Sequence, residues 1–171
     1  MPGDGPRRVY WDACVFLAWI NGEPGRVGVV DALLNSARAG DFEIITSVIS
    51  ITEVALAATE KQSGALSPAI LATIDNLWEP PSRVKLVEVH RLIAVDARNL
   101  MRQATPEGLV LRPPDAIHLC TAPRAGCDEF LTYDPKLHKY AGRIGLPVRE
   151  PASGTLPFEM GQQGGSQTAG E

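Results

Sequence analysis

Asp12 breaks the run Val9-Tyr10-Trp11-Asp12-Ala13-Cys14-Val15-Phe16-Leu17, which is otherwise apolar and reads as a core strand running into a helix. Ionised carboxylates are seldom buried without a partner, because desolvating the charge is costly. Three further acids stand in telling contexts. These are Glu53 in Ile-Thr-Glu-Val, Asp115 in Pro-Pro-Asp-Ala-Ile-His and Asp134 in Leu-Thr-Tyr-Asp-Pro. Brought together, four carboxylates repel one another and raise each other's pKa. A divalent cation relieves that repulsion, and Mg²⁺ or Mn²⁺ suits an all-oxygen donor set. Such an ion keeps several waters, and one of them can serve as a nucleophile. The chemistry to expect is metal-assisted phosphodiester hydrolysis.

Each acid also has a purely structural reading. Asp134-Pro135 is a helix cap followed by proline at the first helical position. Asp115 at a helix start complements the helix dipole. Glu53 can complete a capping box with Ser50. Asp12 is the hardest to explain in this way, since its neighbours are apolar on both sides. The signal lies in the ordered set rather than in any one member.

The elements that must position these acids alternate. Val9–Trp11 reads as a first strand, and Val27, Val30, Leu34 and Ala37 recur at helical spacing up to Gly40. Phe42–Thr46 reads as a second strand, followed by a helix from Ser47 or Ser50 that carries Glu53 about two turns in. Ser67-Pro68 starts a helix that Pro80-Pro81 ends. Val84–Val89 is a strand, and Ile93, Ala97, Leu100 and Met101 mark an amphipathic helix. Pro113-Pro114 opens a helix with Asp115 in its first turn, closed by Gly126. Asp128–Thr132 is a short strand, Pro135–Tyr140 a helical turn and Leu146–Arg149 a last strand. This alternation predicts an α/β domain with a mainly parallel sheet covered on both faces. In such sheets ligands bind beyond the carboxyl ends of the strands. Asp12 and Asp134 are expected at that end, and one crevice can receive all four acids.

The bulk numbers bound the reading. At 171 residues and 44% hydrophobic content the chain is long enough for one folded domain. A flexible N-terminus over residues 1–7 and a disordered, Gly- and Gln-rich tail over residues 151–171 are expected to flank a body at 8–150. The net charge of −4 argues against a general polyanion-binding surface. Three cysteines, Cys14, Cys120 and Cys127, cannot all pair, and they read as small core residues of a reducing cytoplasm. The apolar run after Arg7-Arg8 is too short to span a bilayer and holds Asp12. No membrane association is expected, and the cytoplasm is the expected location.

The ordered set resembles the PIN-domain ribonucleases, including the VapC-type toxins of bacterial toxin–antitoxin systems. The resemblance covers roughly residues 8–150. Val9-Tyr10-Trp11-Asp12 is similar to the family's opening motif, and Thr46–Val54 to the segment bearing its helix-borne Glu. Pro114-Asp115-Ala116-Ile117-His118-Leu119-Cys120-Thr121-Ala122 is the most specific match. Phe130-Leu131-Thr132-Tyr133-Asp134 resembles the last motif, a Thr or Ser two residues before an Asp. The resemblance implies a three-layer α/β/α PIN fold, dependence on Mg²⁺ or Mn²⁺, and cleavage of single-stranded RNA. It also implies a homodimer and an antitoxin partner. Asp12, Glu53, Asp115 and Asp134 are the expected metal and catalytic residues, with Thr132, His118 and Arg112 as substrate contacts. Lys136, Lys139 and Arg143 are expected to join Arg112 in a basic rim.

Two departures stand out: Cys14 replaces a small polar residue two places after Asp12, where a supporting hydrogen bond is expected to be lost, and Pro123 should kink or shorten its helix. Two other classes fit less well. An aspartyl phosphatase of the haloacid-dehalogenase type would use Asp12 and Ser47, but wants a second acid where Cys14 stands. A noncatalytic binding scaffold has no need to retain all four acids.

Overall fold

The computed structural model describes residues 5–152. The expected tail from 153 onward, and residues 1–4, lie outside the described residues. In chain order the elements are β1 (Arg8–Trp11), α1 (Ala13–Ile20), α2 (Val27–Ala39), β2 (Glu43–Ser47), α3 (Ser50–Glu53), α4 (Ala58–Ser63), α5 (Pro68–Trp78), β3 (Val84–Val87), α6 (Arg91–Ala104), α7 (Pro113–Arg124), β4 (Glu129–Leu131), α8 (Ala141–Ile144) and β5 (Val148–Arg149). Short 3₁₀ turns at Thr105–Glu107 and Pro135–Tyr140 follow α6 and β4.

All five strands are parallel, in the order β3-β2-β1-β4-β5. A parallel sheet is buried on both faces, and the alternation along β1 shows how. Val9 and Trp11 join Ile44 and Leu131 against α1, α2 and α5, where Phe16, Leu34 and Leu77 are buried. Tyr10 points the other way, with Ile45 and Phe130, into a second core formed by Ile93, Leu100 and Leu119 of α6 and α7. The result is the expected three-layer α/β/α architecture. Each fully buried side chain of this size contributes roughly 1.5–3 kcal/mol, so the two cores hold the sheet from both sides.

The differences from expectation lie at element ends. Glu53 is not two turns into a helix; it is the last residue of the single turn α3. Ile49, Ile51 and Thr52 are β-branched and support helix poorly, so the segment does not propagate. Strand β3 stops at Val87 because His90 turns the chain into α6, its Nδ1 accepting from the Leu92 N–H at 3.2 Å. The helix α4 was not foreseen. It is held by Glu60, a buried acid whose carboxylate accepts from the N–H groups of Ala57 (3.0 Å) and Ser67 (2.8 Å). Pro123 falls in the last turn of α7, which ends one residue later. Among the described residues no helix is long and apolar enough to cross a membrane.

A carboxylate pocket at the topological switch point

The chain builds β2 and β3 on one side of β1 and then crosses to place β4 and β5 on the other. The crevice beyond the carboxyl ends of β1 and β4 is therefore a topological switch point, where open parallel sheets bind ligands. Trp11 pairs with Leu131, so Asp12 is level with Thr132. A cavity of about 280 Å³ opens there, lined by Asp12, Cys14, Glu53, Arg112, Asp115, His118 and Asp134 with Ala13 and Leu17. All four acids thus share one pocket.

Asp12 is 5% exposed. Burial raises its pKa, while hydrogen bonds from Cys14 and Thr132 oppose the rise. The Cys14 thiol donates to Oδ1 at 2.7 Å, and Thr132 Oγ1 donates to Oδ2 at 2.6 Å. The expected loss at Cys14 is therefore corrected: the thiol makes the supporting bond itself. Its sulfur accepts from the Tyr133 N–H at 3.1 Å, and Thr132 Oγ1 accepts from the Asp134 N–H at 2.9 Å. Burial, with Asp12 alongside, pushes the Cys14 thiol well up, so it stays a protonated donor.

The other acids are held from their own elements. Asp134 caps the turn after β4, its Oδ1 accepting from the Lys136 N–H at 2.9 Å. The cap and the place in the pocket are compatible, since Oδ2 has no hydrogen bond among those described. Asp115, in the first turn of α7, takes a two-point ion pair from the exposed Arg112 at 2.8 and 3.1 Å. That contact raises the Arg112 pKa, with Asp134 and Glu53 adding to it. Glu53 forms no capping box. Ser50 bonds instead to Thr46 at 2.7 Å, and Glu53 Oε2 meets His118 Nε2 at 2.6 Å.

The expected substrate contacts divide. Arg112 is exposed at the pocket's edge. Thr132 is fully buried beneath Asp12 and faces no solvent. His118 is also buried, and both its ring nitrogens are engaged within the protein, Nδ1 by the Tyr10 hydroxyl at 2.7 Å. In this arrangement both nitrogens face protein partners. The basic rim is smaller than expected. Lys136 and Lys139 line an adjoining cleft of about 620 Å³ that shares Arg112, Asp115 and Asp134 with the pocket. Arg143 instead pairs with Glu107 and lines a different cavity beside Asp96.

The donor chemistry fits a hard divalent cation, because every acid in the pocket presents oxygen. Among the described residues no three Asp, Glu, His or Cys side chains already converge as a finished coordination sphere. Mg²⁺ does not need one, since it binds through one or two carboxylates and retains waters. Asp12, Glu53 and Asp134 each keep acceptor capacity toward the pocket. At Asp115 a cation would take over the place that Arg112 fills.

Solved structures share this arrangement of elements. The VapBC2 complex from Rickettsia felis, bound to a DNA fragment from its promoter, aligns with a TM-score of 0.60 at 15% identity, covering 84% of this chain and 97% of that one. DNA-bound VapBC from Salmonella typhimurium gives 0.60 at 16%, covering 85% and 99%. VapC20 of Mycobacterium tuberculosis, a toxin that cleaves the sarcin-ricin loop, gives 0.57 at 15%, covering 74% and 90%. No curated protein matches the sequence. A family model does, over residues 9–143, a span that contains every acid of the pocket, and the chain belongs to the PIN domain family.

Proposed function

We propose that this chain is a Mg²⁺- or Mn²⁺-dependent endoribonuclease acting on single-stranded RNA, and the toxin of a toxin–antitoxin pair. The observation that carries the reading is the convergence of Asp12, Glu53, Asp115 and Asp134 on one pocket at the switch point of a PIN sheet. Asp12, Asp115 and Asp134 would hold the cation, and Glu53 would ligate it or orient the attacking water. The bound ion supplies an activated water and offsets charge building on the phosphate. Thr132 and Cys14 hold Asp12 in orientation by donating to both of its oxygens. Arg112, Lys136 and Lys139 offer cationic contacts along the cleft for phosphates on either side of the cut. Membership of the PIN family removes the support for an aspartyl phosphatase.

An antitoxin partner is supported by the structural neighbours, among them VapBC complexes and a toxin–antitoxin complex from Klebsiella pneumoniae. The decisive assay is cleavage of a labelled single-stranded RNA with Mg²⁺, with Mn²⁺ and with EDTA. Internal cuts that need the metal support the reading, and metal-independent cleavage or none refutes it. A homodimer is also proposed, with one patch shared between identical subunits. Light scattering at micromolar concentration should give twice the chain mass, and a monomer throughout would remove the dimer but not the nuclease.

A further inference from the structure

Glu53 stands on a short element of the pocket. The helix α3 is a single turn, and the Glu53 side chain is 30% exposed. A carboxylate so placed samples several rotamers unless something holds it. The hydrogen bond described for it runs to His118 Nε2 at 2.6 Å. On the far side of the ring, Nδ1 meets the Tyr10 hydroxyl at 2.7 Å. Tyr10 is fully buried on β1, two residues before Asp12, and stacks on Phe130 of β4 with ring centroids 5.0 Å apart. His118 lies three residues after Asp115, on α7. One imidazole therefore touches the three elements that carry Asp12, Glu53 and Asp115.

The bond direction at Glu53 follows from the groups. A carboxylate only accepts, so Nε2 carries the proton that reaches Glu53. Nδ1, on the opposite side of the ring, shares its hydrogen bond with the Tyr10 hydroxyl. The Tyr10 ring sits edge-on to the imidazole at 5.8 Å, which limits rotation of both.

We propose that His118 is a positioning residue that bridges Glu53 to Tyr10 and locks the helix-borne carboxylate to the strand carrying Asp12. The proposal rests on the reading of the pocket as a cation site. It differs from an ordinary packed histidine in acting through Glu53, and that difference can be measured without turnover. The probe is Mn²⁺ binding to the purified protein, followed by electron paramagnetic resonance. His118→Phe fills the site but removes both bonds. It should weaken Mn²⁺ binding by about 10- to 100-fold, as loss of outer hydrogen bonds to metal ligands does. Tyr10→Phe keeps the stacking and removes the hydroxyl that meets His118, so a loss of about fivefold is expected. His118→Gln keeps an N–H donor toward Glu53 and should recover most of the affinity.

In a Glu53→Gln background, His118→Phe should cost nothing further, because the group it orients is already changed. Turnover should show kcat falling in His118→Phe and Tyr10→Phe with KM for RNA unchanged. An unaltered Mn²⁺ affinity in Tyr10→Phe, with no change in kcat, overturns the proposal even where His118→Phe fails to fold. So does a His118→Phe loss that persists in full beside Glu53→Gln. A wild-type protein that neither binds Mn²⁺ nor cuts RNA removes the cation-site reading itself, and the proposal with it. A wild type that does both beside indifferent variants removes only the proposal.

Discussion

The two ends of the sheet treat acids in opposite ways. At the amino end, Glu129 is 3% exposed and is met by Arg7 at 2.5 Å and Arg149 at 3.2 Å. Glu43 lies between Arg8 and Lys85, and those bonds hold its carboxyl below the usual range. Asp128 accepts from the Arg8 N–H at 2.8 Å. Each of these three acids has a basic side chain or a backbone donor. At the carboxyl end, four acids share a pocket in which Arg112 is the one lysine or arginine among the lining residues. Asp12 is held by an alcohol and a thiol, neither of which neutralises it. One end of the sheet is balanced for stability. The other leaves negative charge for something outside the chain to neutralise.

That contrast is broken most severely by removing charge at the pocket. Asp12→Asn and Asp115→Asn should each lower RNA cleavage by more than about 100-fold, since even outer partners of a metal site cost 10–100-fold. Because ionised Asp12 is disfavoured by burial, the melting temperature of metal-free Asp12→Asn should hold or rise. Full RNase activity in both variants with Mg²⁺ or Mn²⁺ present would sink the proposed mechanism. The opposite result is expected from Glu129→Gln. It leaves Arg7 and Arg149 without their carboxylate, at a cost of about 1–3 kcal/mol once the arginines' exposure is allowed for. Denaturant melts should show the loss, while activity per folded molecule stays at the wild-type level.

A smaller effect tests the lone cation of the pocket. Arg112→Ala frees Asp115 from an exposed pair worth roughly 0.5 kcal/mol, so Mn²⁺ should bind about twice as tightly. Weaker Mn²⁺ binding in that variant would show that Arg112 supports the site rather than competing for it. The smallest effect belongs to neither end. Deleting Gly161–Glu171, beyond the described residues, is expected to change neither melting temperature nor cleavage rate, and a fall in either would show that this segment contributes.

Much of the carboxylate end is legible in the residue order. Asp12 announces itself by interrupting an apolar strand, and Asp134 by following one. The three-layer sheet follows from alternation of strand and helix patterns. What cannot be read is who holds each acid. Glu53 and His118 are far apart in the chain, and nothing local tells that the ring faces inward to a tyrosine rather than outward to a phosphate. Cys14 looks like a loss because a thiol is a weak donor in general, yet its place against Asp12 makes it a sufficient one. The amino end is nearly silent, since Glu129 reads as an ordinary strand residue until Arg7 and Arg149 are seen beside it. Helix length at α3 was overestimated because β-branched residues satisfy helical periodicity while opposing helix growth.

The hydrogen bond from Thr132 to Asp12 spans 120 positions of the chain. Its consequence is one of timing. Strand β1 is synthesised well before β4, which comes near the end of the described body. Domains fold largely as units, and pairings between distant segments form late. A growing chain therefore carries Asp12 on an unfinished crevice, with neither Thr132 to orient it nor Asp134 to face it. The pocket comes into being only as translation of the domain ends, so an unfinished chain on the ribosome lacks the complete set of acids.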